Sequence, residues 1–507
     1  MSSILFTITF GGVVATFVFF WALLHMTQDK SEPPVVSTSI PFVSPLLGMV
    51  RWSMDFYSFM RKRHRTLPIY TLRIPGTRIY VINSLDLIPV VQRQWRTLIF
   101  APIQVKAAKA AIGVSKDSIA ILELDMVTES GFVNGMVKAT HPTMSGGPAL
   151  DALNSKAFEI FDAALRGLDG RTTISMFEWI NKQIMHATTD AVYGPANPMR
   201  DARNLEAWHK YHPAIMFLML DILPQNYFFR TAVHGREYLV RSFTKYYKDA
   251  SYKEGSAYIQ HFTEHCIEQK IPEIDIPRLL LGTVFNNVAN TSPSAFWVIY
   301  RIFSDAVAQE ECRNEVKQAV QDTPDGISTI DFSFVLNSCP ILLSTYHEVF
   351  RYHGMANSVR VVSEDHMLDN RYLLKKGGLI MISARAQHSD PDIWGENVDQ
   401  FYHKRFVKQQ GDSKRLTAVA FRGFGGGATL CPGRHFATSE ILLLATMLLL
   451  RFNAQPADGM PWVLPSTANS SQAEAMEQPD KDINIKLVPR PEANGRTWRV
   501  AFSGQRS

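Results

Sequence analysis

A glycine-rich turn, one cysteine and a long apolar run follow each other in F-G-G-G-A-T-L-C-P-G-R-H-F-A, Phe424 to Ala437, and the stretch Ile441 to Leu450 behind it. That order predicts a loop and then a helix, with the sulfur of Cys431 at the helix entrance. The first turn of a helix exposes unpaired N–H groups and partial positive charge. Such a setting lowers a thiol pKa and favours the thiolate. Glycines beneath the sulfur leave room for a flat ligand, so the arrangement suits axial ligation of haem iron. A lone cysteine in a glycine loop would more simply be a buried free thiol; the rest of the string decides against that reading.

Phe424, Gly427, Cys431, Gly433 and Ala437 stand at the spacing of the haem-binding signature of cytochrome P-450 enzymes, and the chain resembles that family. The resemblance implies haem b, with Cys431 as axial ligand of its iron and Phe424, Gly425 and Gly433 in the cofactor-binding loop. It also implies a mainly α fold with small β-sheets. One departure matters. The family usually carries Arg or His two residues before the cysteine, on a haem propionate, and here that residue is Thr429. The A-T-x-C-P-G-R variant is similar to the branch of sterol 7α-hydroxylases and prostacyclin synthase. The propionates then need other partners. Arg360, in S-V-R-V-V, is the main candidate, with Lys138 and His141 as weaker ones.

Two further segments carry the resemblance. H-E-V-F-R, His347 to Arg351, places Glu348 and Arg351 on one helix face, where they can pair. The family has its E-x-x-R helix here, and F-Y-H-K-R-F offers Arg405 as the arginine that completes its Glu-Arg-Arg cluster. This network is expected to be buried and structural, since a planar guanidinium suits two carboxylate oxygens at once. The second segment is Leu279 to Phe303, read as one long helix that opens at Pro293, whose ring clashes with the carbonyl of Ala289. Polar residues at 286, 287 and 290 to 292 argue against a membrane span there. Most family members have an acid followed by Thr at this place to deliver protons during oxygen activation. Here Asn290 replaces the acid and Thr291 remains, so both are candidate catalytic residues. Asn290 can hold a water but cannot supply a titrating proton.

Bulk properties narrow the setting. A chain of 507 residues with 46% hydrophobic residues can bury a large core. The net charge of +5 is too mild for a nucleic-acid binder. Cys266, Cys312, Cys339 and Cys431 show no paired spacing, which argues against a disulfide framework or a zinc site and for a reducing, cytosol-facing body. Residues 4 to 24 carry no charge, and about 20 apolar residues of helix cross a bilayer. No basic residue precedes them, so an uncleaved anchor is expected rather than a signal peptide. The first basic cluster, Arg61 to Arg65, lies downstream and keeps the body cytosolic. The expected organisation is a membrane anchor at 1–30, a proline-rich hinge at 31–50 and a catalytic domain at 51–507, in the endoplasmic reticulum.

Ile69 to Ile82 reads as a hairpin around Pro75-Gly76. Ala214 to Leu223, rich in Met and Leu, falls where the family roofs its pocket, and Asn469 to Asp482 reads as a polar surface excursion. The chain holds no strand–G-x-G-x-x-G–helix unit, so electrons should come from a separate NADPH-cytochrome P-450 reductase, with the basic cluster as one candidate contact for it. The function expected is monooxygenation of a large apolar polycyclic substrate (steroid, triterpenoid or other terpenoid) in fungal secondary metabolism. A reductase-independent peroxide isomerase or dehydratase of the prostacyclin synthase type is the alternative, and a haem protein that senses without turnover is a third reading.

Overall fold

The computed structural model describes residues 2–36, 39–168, 170, 172–407, 419–471 and 473–502, with side chains described from residue 14 onward. The chain divides into two compact units, one of Met1–Ile103, Met355–Asp399 and Leu416–Leu430, the other of Gln104–Gly354, Gln400–Arg415 and Cys431–Ser507.

The first unit is built on a five-stranded sheet ordered Ile69–Ile74, Thr77–Ile82, Leu379–Ser383, Asn357–Val362, Leu98–Ile99. The hairpin forms where its alternation predicts, with Ile69 opposite Ile82 and Ile74 opposite Thr77. Gly76 takes φ 71 at the turn, a conformation that costs a side chain with a Cβ but not glycine. Successive strand residues point to opposite faces, and both faces are apolar. Ile69, Tyr80, Ile82 and Ile380 pack with Ile88 and Val91 of the helix Leu87–Arg93. Tyr70, Leu72, Val81 and Met381 pack with Phe56, Tyr57 and Met60 of the helix Phe56–Arg63.

The N-terminal helix Ser2–Thr27 ends on this sheet. Arg78 Nη2 donates to the Thr27 carbonyl at 2.8 Å, and Arg73 donates to Thr27 Oγ1 and Gln28 Oε1. Cationic side chains at a helix C-terminus offset its partial negative charge. The residues after it are docked. Thr71 N donates to the Pro34 carbonyl, Val36 N to the Thr71 carbonyl, and Tyr80 Oη to the buried Glu32 at 2.7 Å. Arg78 Nε lies 3.1 Å from the same carboxylate. The expected hinge is therefore pinned along Ile69–Ile74 before the chain enters the helix Ser44–Trp52. Among the described residues no helix is long and apolar enough to cross a membrane; residues 4 to 13 of the expected anchor lie outside the residues whose side chains are described.

The second unit is mainly helical, with two three-stranded sheets, Phe452–Pro456 with Asn484–Pro489 and Thr172–Ser175, and Thr497–Ala501 with Ile327–Asp331 and Val320–Asp322. Two helices run through its core. Every residue of Thr291–Phe303 except Arg301 is buried, and Arg434–Arg451 is buried from Ser439 onward. Burial on all sides leaves no polar face to give a helical periodicity. The expected single helix over 279–303 is two, Ile276–Val288 and Thr291–Phe303, separated by Ala289 and Asn290. Pro293 falls in the first turn of the second helix, where a missing N–H costs nothing.

One expectation fails in this unit. Asn469 to Asp482 is not a surface excursion: Glu474, Met476 and Glu477 are buried. Within Ala214 to Leu223 the helix Ile215–Leu220 buries Ile215 and Leu218, while Phe217 is 57% and Ile222 76% exposed. The four cysteines are free thiols, three of them buried and Cys431 half-buried.

Glu32 serves Tyr80 and Arg78 together, so Glu32→Ala strands both. The expected result is a loss of about 2 kcal/mol of stability, read as a lower urea midpoint, with faster proteolysis between Thr27 and Pro33.

Candidate functional site

In the second unit Cys431 and Pro432 lead into the helix Arg434–Arg451, with Gly433 at its N-cap. The backbone N–H groups of Gly433 and Arg434 donate to the sulfur. Arg434 Nη1 donates to the Cys431 carbonyl at 3.1 Å. Burial pushes the free thiol up, while these donors and the Arg434 charge pull it down. The balance is upward, which corrects the expected lowering: desolvation outweighs the helix end. A metal cation on the sulfur would reverse that balance, because it compensates the thiolate directly. Tyr346 Oη and Thr438 Oγ1, 2.8 Å apart, tie the helix Pro340–Tyr352 to the first turns behind the thiol.

Glu348, Arg351 and Arg405 are brought together. Arg351 donates to both Glu348 oxygens at 2.7 and 2.8 Å. Arg405 Nε reaches them at 3.0 and 3.1 Å, and the backbone N–H of Tyr402 adds a further donor at 3.0 Å. Both guanidinium groups also donate to the Gln400 carbonyl. The carboxylate has no solvent exposure. Two segments, the helix Pro340–Tyr352 and Gln400–Arg405, thus close on one acid.

At the split helix, Thr291 is buried and its hydroxyl donates to the Asn287 carbonyl at 2.9 Å. This is a helix-like bond to the residue four before, which bridges the break. Asn290 Oδ1 accepts the Ala475 N–H at 2.6 Å, and its carbonyl accepts from Ser294 Oγ at 2.7 Å. The amide oxygen of Asn290 thus fastens the loop after Phe452–Pro456 to the helix break. The same loop is fastened twice more. Trp297 Nε1 donates to the Glu477 carbonyl at 2.8 Å, and the Trp297 ring stacks on His353 with centroids 3.8 Å apart. Arg301 Nε donates to His353 Nε2 and His353 Nδ1 donates to Glu477 Oε2, which defines a neutral His353 with its proton on Nδ1.

Glu474, one residue before the Asn290 clamp, is a group the sequence does not mark. Burial raises its carboxyl to about 7, against the bond from Gln478. His212, 3.4 Å away, is pushed by burial down to about 4 and is neutral at physiological pH.

In the first unit Phe424 to Leu430 form the glycine turn. Gly425 and Gly427 take φ 79 and φ 62, and a Cβ on Gly427 would lie 2.8 Å from Gln92 Cβ. Thr429 Oγ1 accepts from Arg360 Nη2 at 2.9 Å and donates to the Gly426 carbonyl. Arg360, on the strand Asn357–Val362, is 2% exposed, and its Nε has no partner among the described residues. Lys138, in the second unit, is exposed. A buried guanidinium with an unused donor calls for an anion. In the first unit a carboxylate such as a haem propionate fits that requirement; in the second unit the thiol with its two backbone donors fits haem iron, which Cys431 would hold.

The family model described as Cytochrome P450 matches residues 33–470. A curated relative, "Cytochrome P450 monooxygenase nodJ" of Hypoxylon pulicicidum, is 31% identical over 94% of this chain and 95% of its own length. "25-hydroxycholesterol 7-alpha-hydroxylase" of Rattus norvegicus is 27% identical over 69% of this chain and 86% of its own. Among solved structures, "Retinoic acid bound cyanobacterial CYP120A1" superposes with a TM-score of 0.68 over 90% of this chain and 99% of that one, at 16% identity, a likeness of fold.

Two measurements test the geometry. Glu348→Ala leaves two guanidinium groups facing each other in a dry site, with an expected cost of about 3–5 kcal/mol, seen in chemical unfolding and in a lower haem content of the purified protein. Glu474 has a folded pKa above its unfolded one, so its contribution is neutral below the ordinary value of 4.5 and becomes a penalty as pH rises toward about 7. Between pH 5 and pH 8 the wild type should therefore lose on the order of 2–3 kcal/mol relative to Glu474→Gln, read from melting curves at the two pH values.

Proposed function

The chain belongs to the cytochrome P450 family, and we propose that it is a membrane-bound monooxygenase that oxidises a large apolar polycyclic lipid, a steroid, triterpenoid or other terpenoid. The observation that carries the reading is the sulfur of Cys431 receiving two backbone N–H donors at the entrance of Arg434–Arg451. Haem b is the cofactor of the family; when bound, it activates dioxygen and inserts one oxygen atom into a C–H bond of the substrate.

The chain's own residues then have separate tasks. Cys431 would hold the haem iron through a sulfur that the backbone N–H groups of Gly433 and Arg434 orient, and would supply it with thiolate electron density. Glu348, Arg351 and Arg405 fasten the segment after Asp399 to the helix Pro340–Tyr352, a structural task. Arg360 neutralises a propionate. Thr291 carries a proton at Oγ1, held on the Asn287 carbonyl, and is the hydroxyl at the helix break that can donate it during oxygen activation. Asn290 holds the helix break open by its bond to Ala475 and supplies no proton. The titrating carboxyl beside that clamp is Glu474.

The substrate class is supported by similarity to a 25-hydroxycholesterol 7-alpha-hydroxylase and to "Cytochrome P450 7B1" of Mus musculus. Fungal secondary metabolism is supported by similarity to monooxygenases of Hypoxylon pulicicidum and Gibberella zeae. Membrane attachment, at the endoplasmic reticulum with the body facing the cytosol, is supported by the uncharged stretch in Ser2–Thr27 and, in the second unit, by Phe217, Ile222, Tyr227 and Phe228, each 56% exposed or more. Exposed apolar side chains so close in sequence suit a lipid surface. The proposed domain scheme keeps an anchor over 1–30, a connecting segment over 31–50 and the catalytic body over 51–507. Electrons come from NADPH through a reductase. The basic cluster offers that partner less charge than its composition suggests, since Arg61 pairs with Asp390 and Arg65 with Asp392.

Asn290 favours a second reading, rearrangement of a peroxide substrate without a reductase, because that chemistry needs no titrating group at this position. Product analysis in cells fed polycyclic lipids, with and without a co-expressed reductase, separates the two. Reductase-dependent hydroxylation supports monooxygenation; turnover of a peroxide without NADPH replaces it. The reduced protein under carbon monoxide should show the red-shifted Soret band of thiolate ligation, and Cys431→Ser should lose it. Thr291→Ala should keep NADPH consumption but divert it to hydrogen peroxide; an unchanged product yield would leave the threonine only structural.

A further inference from the structure

We propose that Arg422 is a second cation for the haem propionates, doing from two residues before Phe424 what the family's basic residue does from position 429. This role rests on the haem reading above and concerns only groups of the first unit.

Arg422 is 2% exposed, like Arg360, and both rank among the largest fully buried side chains. Neither guanidinium forms an ion pair with a carboxylate among the described residues. Each makes few bonds for so many donors. Arg422 Nη2 donates to Ser358 Oγ at 3.2 Å, and Arg360 Nη2 donates to Thr429 Oγ1 and, at 3.4 Å, to the Gly426 carbonyl. The Nε atoms of both have no partner among the described residues. The two charges repel: burial and Arg360 together push Arg422 down to about 10, which still leaves it charged at neutral pH.

Arg422 is nonetheless held in place. Its backbone N–H donates to His388 Nε2 at 2.9 Å, and its guanidinium lies against the glycine turn. A Cβ on Gly426 would come 2.6 Å from Arg422 Nη1, so the absence of a side chain at 426 is what admits the cation. Arg360 reaches the hydroxyl of Thr429 itself, the position that lost the family's basic residue. Two dry cations beside that position, each with an unused donor, require two negative charges. A ligand with two carboxylates on flexible arms meets that need, and a planar guanidinium binds such a carboxylate bidentately.

The test follows haem transfer from purified holoprotein to excess apomyoglobin. Arg422→Gln, which removes the charge at similar size, should lose haem faster by on the order of 10-fold, and Arg422→Lys should recover part of the difference. Reconstitution with haem dimethyl ester should remove the difference between wild type and Arg422→Gln, because the esterified arms carry no charge. The apoprotein of Arg422→Gln should be no less stable than the wild-type apoprotein, since the cation it removes has no protein counter-ion among the described residues. Transfer at the wild-type rate, or a difference that persists with the dimethyl ester, overturns the assignment. Wild-type protein alone gives a second arm: equal loss of haem b and of its dimethyl ester would also overturn it. A wild-type protein without the thiolate band under carbon monoxide would instead sink the haem reading, so the two failures are distinct.

Discussion

Glu348 is the acid on which the thiol-bearing unit closes. It lies in a helix, without contact to water, and takes hydrogen bonds from Arg351, Arg405 and the backbone of Tyr402. A carboxylate so placed is tolerable only because its charge and its lone pairs are both met. The Gln400 carbonyl accepts further donors of the two guanidinium groups. Arg351 belongs to the same helix, but Arg405 and Tyr402 arrive from a stretch with no regular structure. The ion cluster gives that stretch a fixed course that backbone pairing does not supply.

Charge is handled in the opposite way at two positions of the first unit. Arg360 and Arg422 are nearly as dry as Glu348, but the described residues offer them hydroxyls, carbonyls and a glycine gap instead of a carboxylate. Glu348 meets its cations within its own unit, as Glu32 meets Arg78 in the first, whereas Arg360 and Arg422 have no carboxylate partner among the described residues. Binding that satisfies a buried charge stabilises the folded chain by mass action. On the proposed haem reading, cofactor loading and folding of this unit would be coupled through these two side chains.

Much of this was legible in the sequence where the physics is local. The strand alternation of Tyr70 to Ile82 marked the hairpin, the three-residue spacing of Glu348 and Arg351 marked a shared helix face, and Pro293 marked a break, although as a kink inside one helix rather than a gap between two. The glycine turn and the apolar run after Cys431 marked a loop followed by a helix, with the cysteine at its entrance. What escaped depends on partners distant in sequence. Asn469 to Asp482 looks like surface by composition, because its polar atoms pair with Asn290, Trp297 and His353, which no pattern within the segment can announce. Glu474 acquires its raised pKa only from that burial. Arg422 is one charged residue among phenylalanines and glycines, without periodicity, and only the space left at Gly426 explains it. The thiol of Cys431 shows the converse: the helix-end donors were anticipated, but the cost of drying the sulfur was not.

The fastening of the loop after Phe452–Pro456 onto the split helix has a consequence for how such a chain diverges. Asn290 grips Ala475, Trp297 grips Glu477, and the strand-like contact of Gly354 with Met476 adds a third attachment. These three segments form one bonded set. Chimeras between relatives that exchange any one of them alone would cut across its bonds, and product profiles should migrate between relatives only when the segments around 290, 353 and 475 are transplanted as a set.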